Sequence, residues 1–93
     1  MLESISISEL GNKTNVIDIR SNEKYNNNHI PGSINIPFES LLINPSKYLK
    51  KSNTYYLYCQ KGIQSRRLCM ILKNAGYRVI NISGGYEAWV LEQ

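Results

Sequence analysis

Short apolar runs recur along the chain, and polar or turn-forming residues break them at close intervals. Ser4-Ile5-Ser6-Ile7 alternates at period two and predicts a short edge strand. Ser8-Glu9-Leu10 opens one helical turn that stops at Gly11. Val16 to Arg20 is β-branched, bounded by Asn and Ser, and reads as a buried strand. Ser21 to Asn28 predicts a short helix, with Ser21 or Asn22 as its N-cap and Glu23 in its first turn. Pro31-Gly32 marks a turn, and Ser33 to Ile36 is a strand halted by Pro37. Phe38 to Ile43 suits a helix, and a second turn at Asn44-Pro45 continues helically toward Leu49. Tyr55 to Tyr58 is the central strand, Gln64 to Ala75 the best helix, and Gly76 its left-handed cap. Arg78 to Ile82 is a further strand, Ser83-Gly84-Gly85 a turn, and Tyr86 to Leu91 a last helix.

Strands that alternate with helices imply right-handed βαβ crossovers, hence an α/β fold with a mostly parallel sheet covered on both faces. The chain of 93 residues fits one domain, 1–93, with no repeat and no interdomain linker. Ligands of open α/β sheets bind outside the carboxyl ends of the strands. Arg20, Cys59 and Ser83-Gly84-Gly85 all fall at such ends, so three segments meet on one rim.

Composition changes this picture little. The eleven Asn cluster outside the apolar runs, as at Asn26-Asn27-Asn28, where they read as turn and surface positions. The first residues, Met1 to Ile7, have no basic flank and no continuous apolar core, and do not read as a signal peptide. No apolar run approaches membrane-spanning length. Two cysteines make no disulfide framework, and a reducing, cytoplasmic setting fits them. The net charge of +4 raises nucleic acid as a partner, but no RNA-binding motif, zinc-finger spacing or basic helix accompanies it. A positive field that draws small anions to one loop explains the charge as well.

That loop is the one after Cys59. Gln60 to Gln64 contains Gly62 and leads into Ser65-Arg66-Arg67-Leu68, the opening of a helical pattern. Successive N–H groups in such a loop, the helix dipole, and the cations Lys61, Arg66 and Arg67 all favour a thiolate over a thiol. Most cysteines of small domains are inert packing residues. The strand–loop–helix placement separates Cys59 from that group, whereas Cys69, beside the stripe Leu68, Ile71, Leu72, Ala75, stays in it. His29 adjoins Ile30-Pro31-Gly32 and reads as a turn residue. Asp18 and Arg20, at a strand end, read as groups that brace the active loop by hydrogen bonds. Gly62 marks a backbone conformation or close approach that a Cβ would hinder.

Four segments, in order, carry a resemblance: Val16 to Arg20, His29 to Pro37, Tyr58 to Ser65, and Gly84 to Trp89. With them the chain resembles a single-domain rhodanese, a sulfurtransferase, over essentially its whole length. The resemblance implies a rhodanese-like fold, a five-stranded mostly parallel sheet with helices on both faces. It implies that Cys59 is the nucleophile and takes the outer sulfur of an anionic donor, commonly thiosulfate, as a persulfide. A thiol, or cyanide in the assay, then accepts that sulfur, and no metal or organic cofactor takes part. Gln60, Lys61, Gly62, Ile63, Gln64, Ser65 and Arg66 are the expected substrate-binding residues, with Asp18 and Arg20 behind them. Asn28 stands where the family often has Gly, and Asn tolerates a left-handed backbone.

Three other readings stay open. Phosphate or arsenate chemistry also uses a cradled thiolate, but its pattern places Arg six residues after the Cys, where this chain has Ser65. Phosphate-handling relatives of the fold are understood to have a loop one residue longer. An interaction module without catalysis would typically lack the Cys. A persulfide carrier in a relay, with a protein as donor or acceptor, shares the Cys59 step and is not separable by sequence.

Overall fold

The computed structural model describes residues 3–93; Met1 and Leu2, which begin the N-terminal segment read above, lie outside the described residues. Five strands form one sheet in the order β1-β5-β4-β2-β3, and every pairing is parallel. The strands are β1 (Ser4–Ile5), β2 (Val16–Asp18), β3 (Ile34–Asn35), β4 (Thr54–Tyr58) and β5 (Arg78–Ile82). The helices are α1 (Asn22–Asn27), α2 (Phe38–Ile43), α3 (Ile63–Asn74) and α4 (Gly85–Leu91), with 3-10 turns at Ile7–Glu9 and Pro45–Lys47. "Mostly parallel" thus becomes entirely parallel.

The period-two geometry of the strands builds two cores, one on each face of the sheet. Ile17, Leu57, Cys59 and Val79 point to the face covered by Leu41 of α2 and by Leu68, Cys69 and Leu72 of α3. Their neighbours Val16, Tyr58 and Ile82 point to the other, under Leu10, Ile30 and the α4 residues Tyr86 and Trp89. The middle strands are buried on both sides, which is why they read as continuous apolar runs rather than as alternation.

Three strands are shorter than expected, each where a backbone N–H is bonded outside the ladder. β1 ends at Ile5 because the Ser6 N–H donates to the Glu9 carboxylate at 2.9 Å and begins the 3-10 turn. β2 ends at Asp18: the Ile19 N–H still donates to Tyr58 O at 3.0 Å, but the Arg20 N–H is taken by the Asp18 carboxylate at 2.8 Å. β3 begins at Ile34 because the Ser33 N–H is engaged with Ile30 O at 3.1 Å in the Pro31-Gly32 turn. The expected helical continuation to Leu49 narrows to the 3-10 turn Pro45–Lys47.

Helix ends follow their chemistry. Ser21 caps α1 by accepting the Lys24 N–H. At the end of α3, the Gly76 N–H reaches Lys73 O and the Tyr77 N–H reaches Leu72 O, both at 3.0 Å, with Gly76 at φ +97°. α3 and α4 each start one residue earlier than the pattern predicts, at Ile63 and Gly85. Asn28 is extended, at φ −170°, so the position needs no left-handed residue.

Candidate active site

Cys59 directly follows β4, the central strand, and its Sγ is the focus of the rim. The Gly62 N–H donates to Sγ at 3.1 Å and the Ser65 N–H at 3.3 Å. These two groups belong to the loop and the first turn of α3, where helical N–H groups have no partner of their own. The Ser65 hydroxyl lies 3.4 Å from the same sulfur and donates its proton to Asn81 Oδ1 of β5 at 2.6 Å. With that proton committed, Ser65 Oγ receives the thiol proton. Gly62 takes φ +91°, and a Cβ there would meet the Gly84 backbone N at 2.7 Å. The loop can close around sulfur only with glycine at this position.

The end of β5 closes the loop from behind. A Cβ on Gly85 would run into the Cys59 carbonyl oxygen, so α4 packs its backbone directly against the nucleophile's own. The Tyr86 N–H donates to Cys59 O at 2.8 Å and the Glu87 N–H to Gln60 O at 3.0 Å. The β2 end closes it from the side. Arg20 donates to both Asp18 carboxylate oxygens, to Asn28 O at 2.7 Å and to Gln60 Oε1 at 3.2 Å. Its guanidinium lies 4.0 Å from the Tyr86 ring centroid. Burial opposes the Arg20 charge, and the Asp18 carboxylate more than offsets it, so the group is held above its ordinary value. Gln60 Nε2 in turn donates to Glu87 at 3.3 Å.

A cavity of about 240 Å³ opens onto Cys59 and is lined by Gln60, Lys61, Ile63 and Gln64 as well. The structure therefore gathers five of the expected residues, Cys59, Gln60, Lys61, Ile63 and Gln64, at one small opening, with the Gly62 and Ser65 N–H groups on the sulfur. Arg66 does not join them. Its side chain lines a neighbouring groove with Arg67. Cys59 is 6% exposed, and Cys69 is fully buried. Burial, then the proximity of Cys59, pushes the Cys69 thiol up to about 12, as a packing residue. His29 stacks on Tyr25 and bonds its carbonyl at 2.8 Å, within α1 and its turn. Among the described residues, no three His, Cys, Asp or Glu side chains are grouped to hold a metal.

Two contributors escape the sequence reading. Asn81 lies mid-pattern in a strand, where its burial at 2% exposure and its bond to Ser65 depend on a neighbour 16 residues away. A polar residue interrupting the apolar run Val79 to Ile82 is the only local signal. Tyr86 looks like packing alone, and its contact with Arg20 needs the folded chain.

A parallel α/β domain with a thiol seated in an N–H-lined loop at the end of its central strand defines the class. The rhodanese-like domain profile matches residues 6–92, and the chain belongs to that family. It is 35% identical over 86 residues to Protein HIGH ARSENIC CONTENT 1, mitochondrial, of Arabidopsis thaliana, covering 80% of this chain and 51% of that protein. It is 34% identical over 70 residues to the thiosulfate sulfurtransferase PspE of Escherichia coli strain K12, covering 74% of this chain and 67% of that one. Against the rhodanese-related protein of Thermoplasma volcanium the TM-score is 0.87 at 27% identity, covering 97% and 92% of the two chains. The chain thus spans about half the length of the Arabidopsis relative and most of the length of the archaeal structure. No helix among the described residues is long and apolar enough to cross a membrane.

Proposed function

We propose that the protein is a thiosulfate sulfurtransferase working through a persulfide on Cys59. The observation that carries this reading is the pair of N–H donors from Gly62 and Ser65 aimed at Cys59 Sγ beneath a small open cavity. The Cys59 thiolate attacks the outer sulfur of the donor; the donor's S–S bond breaks and sulfite leaves with the electron pair. The outer sulfur stays on Cys59 as a persulfide anion. Cyanide or a thiol then attacks that sulfur, the Cys59 S–S bond breaks, and Cys59 returns as thiolate. Both halves place negative charge on sulfur at the loop, where fixed N–H groups stabilise it without reorganising. Lys61 at the opening attracts the anionic donor.

Arg20, Asp18 and Gln60 hold the loop in register, and we assign them a positioning role. The same two free thiols support a reducing compartment, the cytoplasm, as the setting. Phosphoryl or arsenate chemistry is disfavoured, because Arg66 lines the adjacent groove and is absent from the lining of the Cys59 cavity. Parallel assays with thiosulfate, mercaptopyruvate, an aryl phosphate and arsenate test the reading. Thiosulfate with cyanide is expected to give thiocyanate and the two oxyanions no turnover. Aryl phosphate hydrolysis or arsenate reduction without thiocyanate formation overturns it.

A further inference from the structure

α3 has two stripes. Ser65, Leu68, Cys69 and Leu72 face the core. Ile63, Arg66, Arg67 and Met70 repeat at the same i, i+3, i+4, i+7 spacing along a second face, and all four line a groove of about 500 Å³. The opposite wall and floor come from Ser4 of the edge strand β1 and from Asn81, Ser83 and Gly84 at the end of β5. Ile63 and Met70 are 64% and 52% exposed. Arg66 and Arg67 are exposed and form no ion pair among the described residues, and α3 carries no acidic residue at all. The groove thus sets two cations, with no ion-pair partner among the described residues, beside two exposed apolar side chains. Lys61 and Ile63 line both this groove and the Cys59 cavity, so they form the ridge between the two.

Resting on the sulfurtransferase reading, we propose that this groove docks an acidic, extended segment of a partner protein whose own cysteine reaches the Cys59 sulfur across the Lys61–Ile63 ridge. Charge decides the sign of the partner, and the apolar residues at 63 and 70 favour a peptide over a bare anion. Cys59 is recessed, at 6% exposure beneath a small opening, which favours a thiol carried on an extended chain. In the transfer step the partner thiolate attacks the outer sulfur of the Cys59 persulfide. The Cys59 S–S bond breaks, a new persulfide forms on the partner, and Cys59 keeps the electron pair as thiolate. No external oxidant or reductant enters.

The test loads the protein with thiosulfate, removes excess donor, and mixes it with peptides bearing one terminal cysteine and either Glu, Gln or Lys at the other polar positions. Loss of the extra sulfur mass is followed in time, with cyanide as the small acceptor. The Glu peptide is expected to react ~10-fold faster than the Gln peptide at low salt, the preference fading at high salt. Met70→Glu, in the groove and outside the Cys59 cavity, is expected to cut that preference sharply while the cyanide rate stays within ~2-fold; Arg67→Gln gives a partial loss of the preference. Equal rates for the three peptides, a preference for Lys, an equal slowing of peptide and cyanide in Met70→Glu, or self-association that covers the groove overturns the docking proposal. Failure to load any sulfur overturns the sulfurtransferase reading itself, and so separates the two.

Discussion

At the scale of single residues the protein treats its two thiols oppositely. Cys59 receives two N–H donors, while Cys69 sits fully buried with its thiol pushed up to about 12 by burial. Limiting iodoacetamide on the native protein is therefore expected to add a single label, at Cys59, with Cys69 labelled only after unfolding. Cys59→Ser is expected to abolish thiocyanate formation, and Cys69→Ser to retain most of it. Comparable losses in both variants, with folding intact, would indicate a redox pair instead. The Ser65–Asn81 bond makes a second, sharper prediction. Ser65→Ala leaves the buried Asn81 oxygen without its donor, at about 1–3 kcal/mol in denaturant unfolding. Replacing both, as Ser65→Ala with Asn81→Leu, is expected to recover part of that loss, because no polar group is then stranded. A double variant as costly as the sum of the singles would contradict the coupling.

At the scale of elements, the site depends on how closely α4 approaches the Cys59 loop. Gly85 has no room for a Cβ against the Cys59 carbonyl, and its φ is +59°. Gly85→Ala is expected to lower stability by about 1–3 kcal/mol and sulfur transfer by ~10-fold or more, the transfer loss persisting at temperatures where the variant is fully folded. Gly11, also at positive φ but with open space around it, is the control, where Ala changes stability alone. Much of this arrangement is legible in the chain itself. The β4–loop–α3 unit announces itself because its strand is apolar throughout, its loop holds Gly62, and its helix has a clean stripe. The convergence of Arg20, Cys59 and Gly84-Gly85 follows from parallel topology alone. What escapes is whatever depends on side-chain direction. Arg66 is near Cys59 in sequence yet faces the groove, because position 66 lies one position beyond Ser65 on α3 and so about 100° around it. Asn81 is remote in sequence yet completes the sulfur's surroundings. The ends of β1 and β2 escape for one shared reason, capture of a backbone N–H by a nearby carboxylate, and the start of β3 because the Ser33 N–H belongs to the Pro31-Gly32 turn.

At the scale of the whole molecule, buried weak acids set how stability responds to alkali. Below about 8.5, the value of a free thiol, folded and unfolded chains both keep the Cys69 proton, and pH has no leverage through it. Above that value the unfolded chain releases a proton that the folded one retains, so stability falls as pH rises toward about 12. Burial also pushes the Tyr58 phenol up, which adds to the fall beyond pH about 10, the ordinary tyrosine value. Urea midpoints measured from neutral pH upward are expected to decline through this range, and Cys69→Val to flatten the first part of the decline. A midpoint independent of pH up to about 11 would contradict the assignment.

The central claim is that Cys59 carries sulfur, and intact-mass spectrometry reads it directly. After brief exposure to thiosulfate, the protein is expected to gain the mass of one sulfur atom, and cyanide or a thiol to remove it. Cys59→Ser is expected never to gain it. A wild-type protein that stays at its unmodified mass with thiosulfate, or gains the same mass in Cys59→Ser, would contradict the account.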